Sequence, residues 1–125
     1  MAHRKKKVLV IEDNSGIRLS LEVALKSAGY DVASAEDGEA GLRKAASEKP
    51  DLVILDLFLP MVDGFKVLGQ LHQDRATSKI PVVIFSVLSQ EQDKMEAERL
   101  GAVGYLVKSE SSIESVVQYI AKLLS

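Results

Sequence analysis

Five short apolar runs, each followed by an amphipathic segment, recur along this chain, and that alternation limits the fold more than any other feature. The runs are Lys7–Ile11 (KVLVI), the weaker Asp31–Ala35 (DVASA), Leu52–Leu55 (LVIL), Val82–Phe85 (VVIF) and Val103–Val107. Their length, β-branched content and flanking turn residues read as strands. Runs that are apolar at nearly every residue need cover on both faces, which means a parallel sheet with helices on each side. Right-handed crossovers make that an open, doubly wound α/β domain with a five-stranded parallel sheet, (βα)5. In a chain of 125 residues each unit has about 25, enough for a strand, a helix and two tight loops. The expectation is one domain over 1–125, with 1–6 a basic tail and no output domain in the chain.

The segments between the runs predict five helices. The first runs from the cap candidates Asn14 and Ser15 to about Ala28, with Gly29 where a helix ends. The second covers Asp37–Glu48 and is stopped by Pro50. After a long irregular stretch, Asp56–Gly64, the third runs from about Phe65 to His72. The fourth starts at Ser89 or Gln90 and ends near Gly101; the fifth runs from a Ser111 or Ser112 cap to Leu124. On the first helix Ile17, Leu21, Ala24, Leu25 and Ala28 share a side expected to face the core, while Leu19 and Val23 fall opposite. On the last, Ile113, Val116, Val117, Ile120, Leu123 and Leu124 read mostly as a packing stripe, with apolar positions to spare for dimer formation.

Charge and composition exclude several functions. Lys and Arg number 16 against 18 Asp and Glu, a net charge of −2, and Arg4, Lys5, Lys6 and Lys7 hold four of the cations. The remainder carries 12 against 18, about −6, which argues against direct nucleic-acid binding through clustered Lys and Arg. The basic start reads most simply as a solvated approach to the first strand, with His3 as surface sequence. With no cysteine, disulfide scaffolds, thiolate metal sites and thiol nucleophiles are all removed. No apolar run nears the roughly 20 residues of a membrane span. Val8–Ile11 is too short for a secretory h-region. A cytoplasmic location without membrane contact is expected.

In open parallel sheets, ligands bind at the carboxyl ends of the strands, beside the point where strand order reverses. Glu12 and Asp13 follow the first strand, Asp56 the third, Ser86 the fourth and Lys108 the fifth. Taken singly, Asp13 is equally a helix cap, Glu12 a solvated loop acid, Ser86 a strand-end hydroxyl and Lys108 a surface charge. Their coincidence at one edge is what points to chemistry. Three carboxylates held together repel, and a hard divalent cation with oxygen ligands, such as Mg²⁺, relieves them. A carboxylate beside that cation can attack a phosphoryl group and form an acyl phosphate. Lys108 supplies counter-charge and Ser86 a hydroxyl, and phosphoryl transfer needs little beyond such positioning and electrostatics.

In order along one short chain, Glu12–Asp13 after VLVI, Asp56 in DLFLPMVDG with Pro60 and Gly64, Ser86 after PVVIF, and Tyr105–Lys108 in GAVGYLVK resemble the receiver domain of two-component response regulators. The resemblance spans essentially the whole chain. It implies a flavodoxin-like sheet of order 2-1-3-4-5, with Asp56 as phosphoacceptor and metal ligand. It also implies Asp13 as a direct Mg²⁺ ligand, Glu12 acting through water, and the backbone carbonyl of Phe58 completing the metal shell. Lys108 would pair with the phosphoryl group and Ser86 close onto it. Tyr105 matches the aromatic that turns inward with the hydroxyl and alters the face made by helix four, strand five and helix five. Implied partners are a histidine kinase or histidine phosphotransfer protein as donor, a downstream protein target or output domain, and a homodimer partner through that same face. In the family a kinase helix packs on helix one, so Leu19 and Val23 read either as a docking patch or as two ordinary exposed apolar residues. Glu91, Asp93, Glu96 and Glu98 on helix four read as an acidic partner face or as acids placed well near a helix start.

Three positions depart from the family pattern. Ser109 follows Lys108 where a cis proline is usual, so the bond is either trans or held at a cost of about 3 kcal/mol. Val87 brings bulk beside Ser86, and Phe58 places an aromatic at the mouth of the site. They motivate an alternative, a receiver-like binding module with little or no phosphorylation-dependent switching. A phosphohydrolase is disfavoured because Phe58 stands where such enzymes carry a second acid two residues after the nucleophile. A nucleotide carrier is disfavoured because no glycine-rich phosphate loop follows the first strand. The protein is expected to be a signalling domain, not an enzyme.

Overall fold

A computed structural model describes residues 4–125; the reading of His3 lies outside them. The elements run β1 (Lys7–Ile11), α1 (Ser15–Ser27), β2 (Asp31–Ala35), α2 (Gly38–Glu48), β3 (Leu52–Leu55), α3 (Gly64–Gln73), β4 (Val82–Ser86), α4 (Glu91–Arg99), β5 (Gly104–Val107) and α5 (Ile113–Leu124), with a 3₁₀ turn at Lys108–Glu110. The five strands are parallel and lie in the order β2-β1-β3-β4-β5, the doubly wound arrangement expected.

The period-two geometry of a strand divides the core between the two faces. Val8, Val10, Leu52, Ile54, Val83 and Phe85 point to one side, where Leu21 and Leu25 of α1 and Val116 and Ile120 of α5 cover them. Leu9, Ile11, Val53, Leu55, Val82 and Ile84 point to the other, under Ala45 of α2, Val67, Leu68 and Leu71 of α3, and Ala97 of α4. That is why strands apolar at every position were needed. β2 is an edge strand and is correspondingly more exposed and less uniformly apolar, with Asp31 and Ser34 among its five residues.

Local signals set the element ends. The side chains of Asn14, Asp37, Asp63 and Ser112 each accept a backbone N–H of the helix that follows them. Gly29 and Gly101 take positive φ values of 99° and 108° beyond α1 and α4. Two expectations shift. Ala28 is exposed rather than core-facing, because α1 ends at Ser27 and Ala28 becomes its cap. Ser86, expected just past the fourth strand, is the last residue of β4 and pairs with Val107. At the opposite rim, the Lys7 ammonium meets the Glu48 carboxylate at 2.8 Å and Arg4 meets Asp51 at 3.3 Å, so the basic start is partly neutralised.

Candidate functional site

Strand order decides which residues meet. The chain turns one way from β1 to β2 and the other way to β3, so the crevice opens between the carboxyl ends of β1 and β3. Glu12 and Asp13 leave β1 there and Asp56 leaves β3, its N–H bonded to the Ile11 carbonyl at 3.1 Å. β5 lies two strands from β3, roughly 10 Å at normal strand spacing, a gap that needs a long side chain to close. Lys108 supplies it: its Nζ sits 2.9 Å from Asp56 Oδ2 and 2.8 Å from Glu12 Oε1. The Phe85 ring lies 5.8 Å below the ammonium.

One carboxylate oxygen from each of Glu12, Asp13 and Asp56 lies within 4.8 Å of the other two. Glu12 and Asp56 are buried, 2% and 3% exposed, whereas Asp13 faces solvent. Glu12 is therefore not the solvated loop acid of the plainer reading. Its Oε2 accepts from the Asn14 N–H at 3.1 Å, and Asp56 Oδ1 accepts from the Phe58 N–H at 3.0 Å. Three carboxylates face one ammonium, and all the free donor atoms are oxygens. That set fits a hard divalent cation.

The electrostatics follow from burial. Desolvation pushes the Glu12 carboxyl up to about 7; the Lys108 hydrogen bond opposes the rise and the Asp56 charge adds to it. Burial works against the Lys108 ammonium, but hydrogen bonds and charge from Glu12 and Asp56 outweigh it and hold its pKa above the ordinary lysine value.

Ser86 is fully buried at the end of β4, its hydroxyl accepting from the Leu88 N–H at 3.3 Å. Tyr105 donates its phenol to the Leu88 carbonyl at 2.7 Å, and burial pushes that phenol up to about 12. Both side chains thus grip one residue of the loop after β4. At the rim, Phe58 is 69% exposed, with Met61 and Val87 also open. No cis peptide occurs among the described residues, so the Lys108–Ser109 bond is trans, and Lys108 still reaches both acids from a 3₁₀ turn.

One contributor was not anticipated. Arg18 on α1 donates to the Glu12 carbonyl at 2.9 Å and to the Asp13 carbonyl at 3.3 Å, while its other terminal nitrogen pairs with Glu36 at 3.1 Å. The available signal was its place four residues after the cap Asn14, one turn above the acidic pair.

Residues 8–121 match the response regulator receiver domain family. Among curated relatives, the alkaline phosphatase synthesis transcriptional regulatory protein PhoP of Bacillus subtilis (strain 168) is 42% identical over 103 residues, covering 82% of this chain and 42% of PhoP. The chain spans about half the length of such relatives. Among solved structures, chemotaxis protein CheY4 of Vibrio cholerae superposes with a TM-score of 0.88 at 28% identity, covering 95% of this chain and 98% of that one. The Mn²⁺-bound form of response regulator Rcp1 superposes with a TM-score of 0.82 at 28% identity, covering 95% and 94%.

Proposed function

This chain belongs to the response regulator receiver domain family, and from that premise we propose that it accepts a phosphoryl group on Asp56 within a two-component phosphorelay. The observation that carries the reading is the buried Asp56 carboxylate held at 2.9 Å by Lys108, with Glu12 and Asp13 beside it. The Asp56 carboxylate attacks phosphorus; the bond from phosphorus to the donor nitrogen, or to the oxygen of an acyl phosphate, breaks, and that atom keeps the electron pair. Asp13, Asp56, the Phe58 carbonyl and, through water, Glu12 would hold a Mg²⁺ ion, which offsets the charge of the carboxylates and the transferring group. Response regulator Rcp1, which shares this fold, has an Mn²⁺-bound form, which supports a divalent cation here. Lys108 then exchanges its pairing with Asp56 for one with the phosphoryl oxygens.

Ser86 turns from the Leu88 N–H to the phosphoryl group, and the Leu88–Tyr105 pairing carries that change to α4, β5 and α5. The donor is a histidine kinase or histidine phosphotransfer protein, and the readers are a protein target, an output domain or a second copy. Among the described residues no helix is long and apolar enough to cross a membrane, and we place the protein in the cytoplasm. A second reading, a binding module that switches little, is supported by Tyr105 already being bonded to Leu88 without phosphorylation.

Intact-protein mass after incubation with acetyl phosphate and Mg²⁺ tests the proposal. One phosphoryl adduct is expected in wild type, and none in Asp56→Asn or in a sample with the metal chelated. An adduct surviving in Asp56→Asn would overturn the acceptor assignment. No adduct in a folded wild type would favour the binding module.

A further inference from the structure

The acidic pair is held from behind by a single side chain. Arg18 is half-buried, and its guanidinium spans two backbone carbonyls, those of Glu12 and Asp13, and one outer carboxylate, that of Glu36. Its own N–H also bonds the Asn14 carbonyl at 2.9 Å, as the first turn of α1 requires. Upstream, the Glu12 N–H is tied to the Ala35 carbonyl of β2 at 3.0 Å. The backbone of residues 12–14 is therefore pinned along its length. The Asp13 carboxylate, by contrast, has no hydrogen-bond or ion-pair partner among the described residues, so where it points depends on the peptide groups that carry it.

We propose that Arg18 is a positioning residue for the divalent-cation site, fixing the Glu12–Asp13 backbone so that the Asp13 carboxylate is presented beside Asp56. This rests on the metal reading given above. The planar fork matters because it satisfies two carbonyls and an acid at once, which an ammonium cannot do with fixed geometry. Glu36 neutralises the guanidinium and keeps it from opposing a cation in front of the acids. Charge alone predicts the opposite sign: removing a positive group near the site should tighten cation binding. The two accounts are separable by the direction of one number.

Mn²⁺ affinity, read from the free-ion EPR signal on the full chain, is compared among wild type, Arg18→Met, Arg18→Lys and Glu36→Gln, with each fold checked by thermal melting in chelator. Positioning through a second layer predicts a dissociation constant raised about tenfold in Arg18→Met. Arg18→Lys should recover only part of that, and Glu36→Gln should fall between wild type and Arg18→Met. Without any metal, the Asn14 amide should exchange with solvent faster in Arg18→Met, because its bond to Glu12 loses the pinned backbone. A folded Arg18→Met that binds Mn²⁺ as tightly as wild type, or more tightly, would overturn the proposal. Should Arg18→Met not fold, Arg18→Lys within twofold of wild type would overturn it instead. A wild type that binds no Mn²⁺ would defeat the metal reading, and this inference with it.

Discussion

Burial raises the Glu12 carboxyl to about 7, against 4.5 for the free side chain, even with the Lys108 hydrogen bond opposing the rise. The folded chain thus holds that proton more tightly than the unfolded chain does. The group's stabilising contribution is full below about pH 4.5 and is lost as pH rises to about 7. In metal-free buffer the urea midpoint of wild type should fall between pH 5 and pH 8, and that of Glu12→Gln should fall less. Parallel pH profiles for the two proteins would refute the assignment. That Glu12 lies at the carboxyl rim beside Asp13 and Asp56 was legible from its place after an apolar run. Its burial was not, because that depends on Lys108, 96 positions later, folding over it.

At the scale of elements, the segment from Asp56 to α3 is the one the sequence described least. The sequence predicts an irregular stretch up to Gly64, yet Gly64 is the first residue of α3, capped by Asp63, whose carboxylate accepts from the Phe65 N–H at 2.9 Å. Gly64 presses on the backbone of Leu57, the residue after Asp56, so that a Cβ there would overlap it. Gly64→Ala should therefore cost about 2–3 kcal/mol by overpacking, seen as a lowered urea midpoint, and should slow phosphorylation by displacing Leu57. A variant as stable as wild type would show that the loop yields freely. Within the same loop Met61 holds φ at 69°, a left-handed conformation without a glycine, which no residue-level pattern announced.

Over the whole molecule, the five units pack so that the acidic cluster and Lys108 occupy one rim while the outer helix flanks stay exposed. Leu19 and Val23 on α1 are each 59% exposed, on the side away from the core, as their spacing predicted. Changing both to Ser should leave the melting temperature nearly unchanged, since exposed side chains contribute within about 0.5 kcal/mol. If α1 docks the phosphodonor, phosphotransfer from the cognate kinase should slow at least tenfold, while phosphorylation by acetyl phosphate stays as in wild type. An unchanged rate from the kinase would reduce the pair to ordinary surface. At the other rim Arg4 and Lys7 pair with Asp51 and Glu48, whereas Lys5 and Lys6 are exposed and have no ion-pair partner among the described residues.

The sequence alone determined the strands, the class of fold and the rim at which Glu12, Asp13, Asp56 and Lys108 gather. These are short-range properties: β-branched apolar runs, caps such as Asn14 and Asp37, and helix stops such as Gly29 and Pro50 act within a few residues. Only the tertiary structure decided which of the rim groups touch. Lys108 meets Glu12 and Asp56 because the strand order sets β5 across β4 from β3 and β1, and its long side chain and the two carboxylates close that gap from both sides. Ser86 and Tyr105 share Leu88 because β4 and β5 are neighbours. Arg18 reaches the carbonyls of the acidic pair because α1 folds back over the turn that begins it. A carbonyl carries no side-chain signature, so a residue that works by holding one is invisible until the chain is folded.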